Sequence, residues 1–236
     1  MSITTIQLKQ VLRNRRFILF TILLPGIWYL FMIKVIAPVV PHDEKYQIGV
    51  LLLALLMGIL GNSIVTFSKR ISSGKQFYLL QTHISHYSIW RYMFTQLITQ
   101  LIVNFLITAI IIFLAVILRT ITFTAVNLVS ILLINILGIY LSIIGFTIGI
   151  IFDTPTVDAG GTPIMFILML FIIPWNSFSL TNGFTKLFTT IQKFFPCYYI
   201  YANINHFSGN HLIMFSVTLI ITVSPFIILI YYKLKK

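Results

Sequence analysis

The residues of this chain best able to handle protons, nucleophiles or metal ions are few: four carboxylates, five histidines and one cysteine. Asp43 and Glu44 adjoin each other, and Asp153 and Asp158 share one short polar stretch, so no acid falls clearly inside a long apolar run. Carriers driven by protons or sodium place ionisable groups at membrane depth to hold or relay the ion. A self-powered carrier is therefore not expected, although backbone carbonyls could still bind sodium. His83 and His86, three residues apart, would share a helix face as two imidazole ligands, but no third ligand type is near. Two interfacial histidines are the expectation, and no metal. His206 and His211 flank the start of the last apolar run without an acidic partner and read as solvated. Ser73, Gly74, Lys75 and Gln76 echo the end of a phosphate-binding loop but lack its earlier glycine and its final Ser or Thr. Gly74 is then a turn or helix-start residue. The motifs of zinc proteases and serine hydrolases are missing. Cys197 is the single cysteine, which excludes an internal disulfide. An enzyme is not expected, and neither is a cofactor bound by this chain.

The elements that must carry these residues are apolar. Of 236 residues, 58% are hydrophobic and 8% charged, with a mean hydropathy of +1.01. Soluble domains carry about 25% charged residues, which places the chain in the membrane class. The net charge of +12 could suggest nucleic acid, but basic residues scattered between apolar runs fit topology signals at a bilayer surface better. No nucleic acid is expected.

Six apolar runs are expected to form membrane-spanning helices, at about Phe17–Ala37, Gln47–Phe67, Met93–Leu118, Ala125–Phe152, Thr162–Leu180 and Leu212–Tyr232. Each is near the roughly 20 residues that cross the hydrocarbon layer. Arg13, Arg15 and Arg16 ahead of the first run imitate a signal peptide, but the run is long and no small-residue cleavage site follows, so a retained span is expected. Residues 3–16 read as a surface helix with Leu8, Val11 and Leu12 on one side and Lys9, Arg13 and Arg16 on the other. The expected fold is thus an all-α integral membrane domain spanning residues 1–236.

With both termini cytoplasmic, eleven of the sixteen basic residues lie inside and five outside, namely Lys34, Lys45, Arg119, Lys186 and Lys193. The stretch 68–92 is then a cytoplasmic loop with four basic residues and no acid. Residues 153–161 read as a tight inner turn, and Arg119 to Thr124 as a short outer one. Phe184, Leu187, Phe188, Ile191, Phe194 and Phe195 recur at helical spacing, predicting an amphipathic outer helix ended by Pro196. Tyr198, Tyr199 and Tyr201 would follow it as an interfacial aromatic belt. Pro25, Pro174 and Pro225 fall inside the first, fifth and sixth runs.

Polar residues inside the runs pose a choice between packing and passage. Gln96, Gln100, Asn104 and Thr108 form a stripe in the third run, with Thr95 and Thr99 beside it. Asn62 and Thr66 in the second run, and Asn176 and Ser177 in the fifth, are similar. Hydrogen bonding between helices is the favoured expectation, and a substrate path the alternative. Gly138 with Ser142, and Gly145 with Gly149, have the small-xxx-small spacing of close helix packing.

The order of these features resembles the type 2 permease family, the membrane subunits of ATP-binding cassette exporters. The likeness covers nearly the whole chain. It rests on the basic helix before the first span (LKQVLRNRRFILFTILLPGIW), the loop with a central glycine after the second (SKRISSGKQFYLL), and the outer segment before the sixth (LFTTIQKFFPCYYIY). The resemblance implies a coupling segment from Arg70 to Leu80, through Gly74, Lys75, Phe77, Tyr78 and Leu79, that docks on a separate cytoplasmic ATPase. It also implies a unit of two permease subunits, this chain with a second copy or a related one, and two ATPase subunits that hold ATP and magnesium. The chain departs from many relatives in carrying Lys69 and Arg70 where they carry acids, so docking there requires an acidic groove on the partner.

Phe77, Tyr78, Leu79 and Leu80 make an apolar knob in a polar loop, which suits a partner surface; burial in the lipid interface is the competing expectation. The expected function is ATP-coupled export of an amphipathic or hydrophobic substrate from a bacterial plasma membrane. Substrates of that kind include a toxin or antimicrobial peptide, a hydrophobic antibiotic and a lipid-linked molecule. The abundance of Ile, Phe, Lys and Asn fits an AT-rich bacterial genome. The alternative is a non-transporting membrane anchor or immunity protein that binds a peptide or recruits a partner.

Overall fold

The computed structural model describes residues 3–36, 44–75, 89–175 and 183–235. Among the described residues there is helix and no strand. The helices are α1 (Ile3–Leu12), α2 (15–36), α3 (Glu44–Lys75), α4 (Ile89–Ile117), α5 (Ala125–Ile151), α6 (Thr154–Ile172), α7 (Gly183–Gln192), α8 (Pro196–Asn205) and α9 (Gly209–Lys235). Five of them, α3, α4, α5, α6 and α9, are long and apolar enough to cross a membrane. In α2 the apolar helix Thr21–Ile36 is shorter, and it alternates α turns with wide π turns at Ile18–Leu23 and Met32–Ile36.

Helix α3 is the axis of the bundle. Its leucines Leu51, Leu52, Leu55, Leu56 and Leu60 are fully buried, and α2, α4, α5 and α6 all pack on it. At 32 residues it is about 48 Å long, well beyond a hydrocarbon layer of roughly 30 Å. The excess lies at the Lys75 end. There the sequence predicts a loop from Ser68, but the helix continues to Lys75. Its polar residues find partners on neighbouring helices, so leaving the apolar run does not oblige the chain to turn.

Helix α5 packs flat against α3 because small residues let the backbones meet. A Cβ on Gly149 would lie 2.5 Å from the Ser68 carbonyl oxygen, and one on Gly145 would run into the Ser63 carbonyl. Both pairs of small residues expected to pack helices therefore lie at a helix contact. Helices α4 and α5 are antiparallel neighbours. In the link between them Arg119 takes a left-handed backbone, and the Thr124 side chain caps α5 by accepting from Asn127 N at 3.3 Å.

Three connections differ from expectation. Residues 154–161 are not a turn but the first turns of α6, which opens with Pro155, a residue well suited to a helix start because its missing N–H is not needed there. The turn itself is reduced to Phe152 and Asp153. Pro174 lies just beyond the end of α6, not inside it. Pro196 starts α8 instead of ending α7, which stops at Gln192.

Helix α1 lies on α4 with Gln7 and Val11 buried and Lys9, Leu12 and Arg13 exposed, so its buried face is narrower than the predicted stripe. Helix α7 divides its apolar residues. Phe188 packs on Phe171 with ring centroids 6.1 Å apart, while Leu187 and, beyond its end, Phe194 are exposed. Tyr201 of the expected aromatic belt is buried, and Tyr198 and Tyr199 are half-buried.

Candidate functional site

The Lys75 end of α3 is tied to the α5–α6 junction by three of its side chains, Lys69, Ser72 and Lys75. Lys69 Nζ lies 2.6 Å from Asp158 Oδ2, both residues being about one-third exposed. Ser72 Oγ donates to the Phe152 carbonyl at 2.9 Å. Lys75 Nζ donates to the Ile150 carbonyl at 2.7 Å, placing a cation on the otherwise unmatched carbonyls that end α5. The Arg70 guanidinium sits 4.9 Å from the Phe67 ring centroid and donates to Gln100 Oε1 at 3.4 Å, reaching α4 as well. Thr156 beside Asp153, with Lys75 nearby, holds the Asp153 carboxyl below its usual value.

Of the coupling residues expected from the sequence, Arg70, Gly74 and Lys75 therefore occupy the last turns of a long helix, and Gly74 neither starts a helix nor forms a turn. Phe77, Tyr78, Leu79 and Leu80 lie outside the described residues, as do His83 and His86.

Above this clamp runs a buried polar seam. Asn62 Nδ2 donates to Asn104 Oδ1 at 3.2 Å, joining α3 to α4. Thr108 Oγ1 donates to Asn135 Oδ1 at 3.1 Å, joining α4 to α5. The hydroxyls of Ser63 and Ser142 are 3.3 Å apart, and Thr99 Oγ1 donates to Gln7 Oε1 at 2.9 Å. Asn62, Thr66, Gln96, Gln100 and Asn104 are all at most 5% exposed. The structure brings together the residues expected to form a polar stripe, and it turns them towards neighbouring helices of the same chain. Asn176 lies outside the described residues.

The seam is not saturated. Asn62 Oδ1, Thr66 Oγ1, Gln96 Oε1, Gln100 Nε2 and Asn104 Nδ2 are buried without a hydrogen-bond partner among the described residues. Each such atom costs roughly 1–3 kcal/mol relative to a satisfied one.

No family model, curated protein or solved structure matches the chain. What the site can do therefore rests on its own geometry.

Among the described residues no group of three or more His, Cys, Asp or Glu side chains could hold a metal ion. Cys197 is buried, and burial pushes its thiol far above the usual value, which leaves it a poor nucleophile. His206 is exposed, whereas His211 is half-buried with Nδ1 3.1 Å from the His206 carbonyl. Two participants escaped the sequence reading: Asn135 and the Lys69–Asp158 pair. Asn135 sits three residues before Gly138 in the packing helix, and that spacing was a usable signal. The ion pair depends on residues far apart in the chain.

Proposed function

We propose that the chain is the membrane subunit of an ATP-driven exporter of the type 2 permease kind, and that the end of α3 is where a cytoplasmic ATPase acts on it. The observation that carries this is the clamp: a basic helical end held to the α5–α6 junction through Lys69, Ser72 and Lys75. A push on the segment that follows Lys75 would move three long helices together, instead of bending a loop.

In this proposal α2 is a sixth span, both termini are cytoplasmic, and the knob Phe77 to Leu80 docks on the ATPase. The basic residues support that orientation, since the Lys75 end of the bundle also carries Lys9, Arg13, Arg15 and Lys233, while Lys45 and Lys193 belong to the opposite end. The substrate is amphipathic or hydrophobic, a peptide toxin, a hydrophobic drug or a lipid-linked molecule. In this proposal the polar seam packs helices of one chain, and the substrate path runs between this subunit and a second permease copy.

The test is reconstitution of the full chain in liposomes with the ATPase that co-purifies with it. Stimulation of ATP hydrolysis together with vectorial movement of substrate supports the proposal. An unchanged ATPase rate and no transport overturn it and leave the membrane-anchor alternative.

A further inference from the structure

Two faces of α3 differ in kind. Towards α5, Gly145 and Gly149 lie directly over the Ser63 and Ser68 carbonyls, and no room is left for a third molecule. Towards α4 the contact is polar, and its polar atoms do not match one for one. Residues Gly61–Phe67 of α3 wind in wide π turns that include Asn62 and Thr66. Gln96, Gln100 and Asn104 recur at four-residue steps on α4, which places them on one stripe of that helix.

The left-over atoms can be assigned. A guanidinium only donates, so the Gln100 atom that Arg70 approaches at 3.4 Å is the oxygen, and Nε2 is the donor left over. Asn62 and Asn104 share one hydrogen bond of 3.2 Å, and each keeps a further atom, Oδ1 of Asn62 and Nδ2 of Asn104. Turning both amides over exchanges their roles and still leaves one acceptor and one donor. Asn104 Nδ2 lies against Gly138 of α5, which brings no side chain to it; a Cβ there would be 2.7 Å away. Gln96 Oε1, an acceptor, and Thr66 Oγ1, which can act either way, also have no partner among the described residues. All five side chains are at most 5% exposed, so bulk solvent does not reach these atoms.

That mixture selects the ligand. A cation would gain from the oxygens of Asn62 and Gln96, but it would meet the N–H groups of Gln100 and Asn104 and the charge of Arg70. An anion would gain from those donors and be repelled by the amide oxygens. Water both donates and accepts. A buried water makes about three hydrogen bonds to groups that otherwise lack a partner, so five such atoms call for about two molecules.

We infer that the α3–α4 contact is a binding site for ordered water, which bridges the π segment of α3 to the amides of Gln96, Gln100 and Asn104. The bridge offsets the cost of the unmatched atoms. It also makes this contact one whose hydrogen bonds exchange with water, while the α3–α5 contact stays dry. The inference does not need the transport proposal.

The experiment is water-edited magic-angle-spinning NMR on the full chain in lipid bilayers, which reads magnetisation passed from water to each side-chain amide. The Gln100 and Asn104 amides are expected to build up several-fold faster than that of Asn135. Asn135 is the more exposed of the three at 9%, but its amide is bonded on both sides, accepting from Thr108 at 3.1 Å and donating to the Ile131 carbonyl at 2.9 Å. Thr66→Val, close to it in shape, should slow the Gln100 build-up several-fold and leave Asn135 unchanged. If Thr66→Val does not fold, the comparison of the three amides in the wild type decides alone. Build-up at Gln100 and Asn104 as slow as at Asn135 would mean a dry seam and overturns the inference, as does a Gln100 build-up that Thr66→Val leaves untouched. Replacing sodium chloride by choline chloride should leave the Gln100 and Asn104 resonances in place; a shift of both would show a bound ion in place of water and also overturns it.

Discussion

At the scale of single residues, the closest approaches in the bundle are set by what is missing from a side chain. Gly145 of α5 lies over the Ser63 carbonyl with no room for a Cβ. Gly145→Val should therefore destabilise the protein by at least ~3 kcal/mol, the range of severe core overpacking and backbone displacement. Gly26→Ala serves as the control, because nothing lies within 4 Å of a Cβ there. Chemical unfolding in detergent micelles should separate the two clearly, and equal stability would remove the close α3–α5 contact from the account. The Lys69–Asp158 pair behaves differently. At 31% exposure on both sides its coupling is expected to be modest, about 0.2–1 kcal/mol, and to weaken with salt. A double-mutant cycle with Lys69→Met and Asp158→Asn reads that coupling, and a value near zero at low salt would show that the clamp rests on Ser72 and Lys75 instead.

At the scale of elements, the same polar residues look quite different alone and in pairs. Removing Asn104 by Asn104→Leu leaves Asn62 buried without its partner, an expected loss of about 1–3 kcal/mol. Changing both, Asn62→Leu with Asn104→Leu, removes the stranded donor and acceptor together, so the double variant should be more stable than the sum of the singles predicts. Strict additivity in a denaturation series would mean that the two amides do not interact. This pair also illustrates what the sequence made legible. The apolar runs and the Gln96-to-Thr108 stripe were visible because hydropathy and four-residue spacing are local properties. The ends of elements were not visible, because they are decided by distant partners. Ser68 to Lys75 has the composition of a loop, yet it stays helical where Phe152, Asp158 and Ile150 supply acceptors. Residues 154–161 read as a turn for their Pro and Gly content, but Pro155 in the first turn and the closeness of Gly161 to the Ile64–Val65 backbone suit a packed helix start. Pro196 is a stop signal for one helix and a start signal for the next, and only the extended backbone at Phe195 distinguishes the two.

At the scale of the whole molecule, orientation and coupling are linked, since the clamp meets a cytoplasmic ATPase only if the Lys75 end faces the cytoplasm. Five long helices with α2 beside them sort the basic residues unequally between the two ends, which favours that orientation. Single cysteines introduced at Lys75 and Lys235 should react with a membrane-impermeant thiol reagent only after the inner face is opened, and those at Lys45 and Lys193 in intact cells. The native Cys197 is buried and should stay silent, so no background substitution is required. With that orientation established, replacing Phe77 and Leu80 together with Asp puts two charges on the proposed docking knob. It should release the ATPase on purification without changing the thermal transition of the bundle. The companion variant Lys75→Met should leave co-purification intact while lowering substrate-stimulated ATP hydrolysis, since it loosens α3 from the end of α5 downstream of docking. Loss of both readouts in both variants would mean that the Lys75 end is one docking surface with no separate transmission step. Retention of both in both variants would move the site of ATPase contact to another part of the chain.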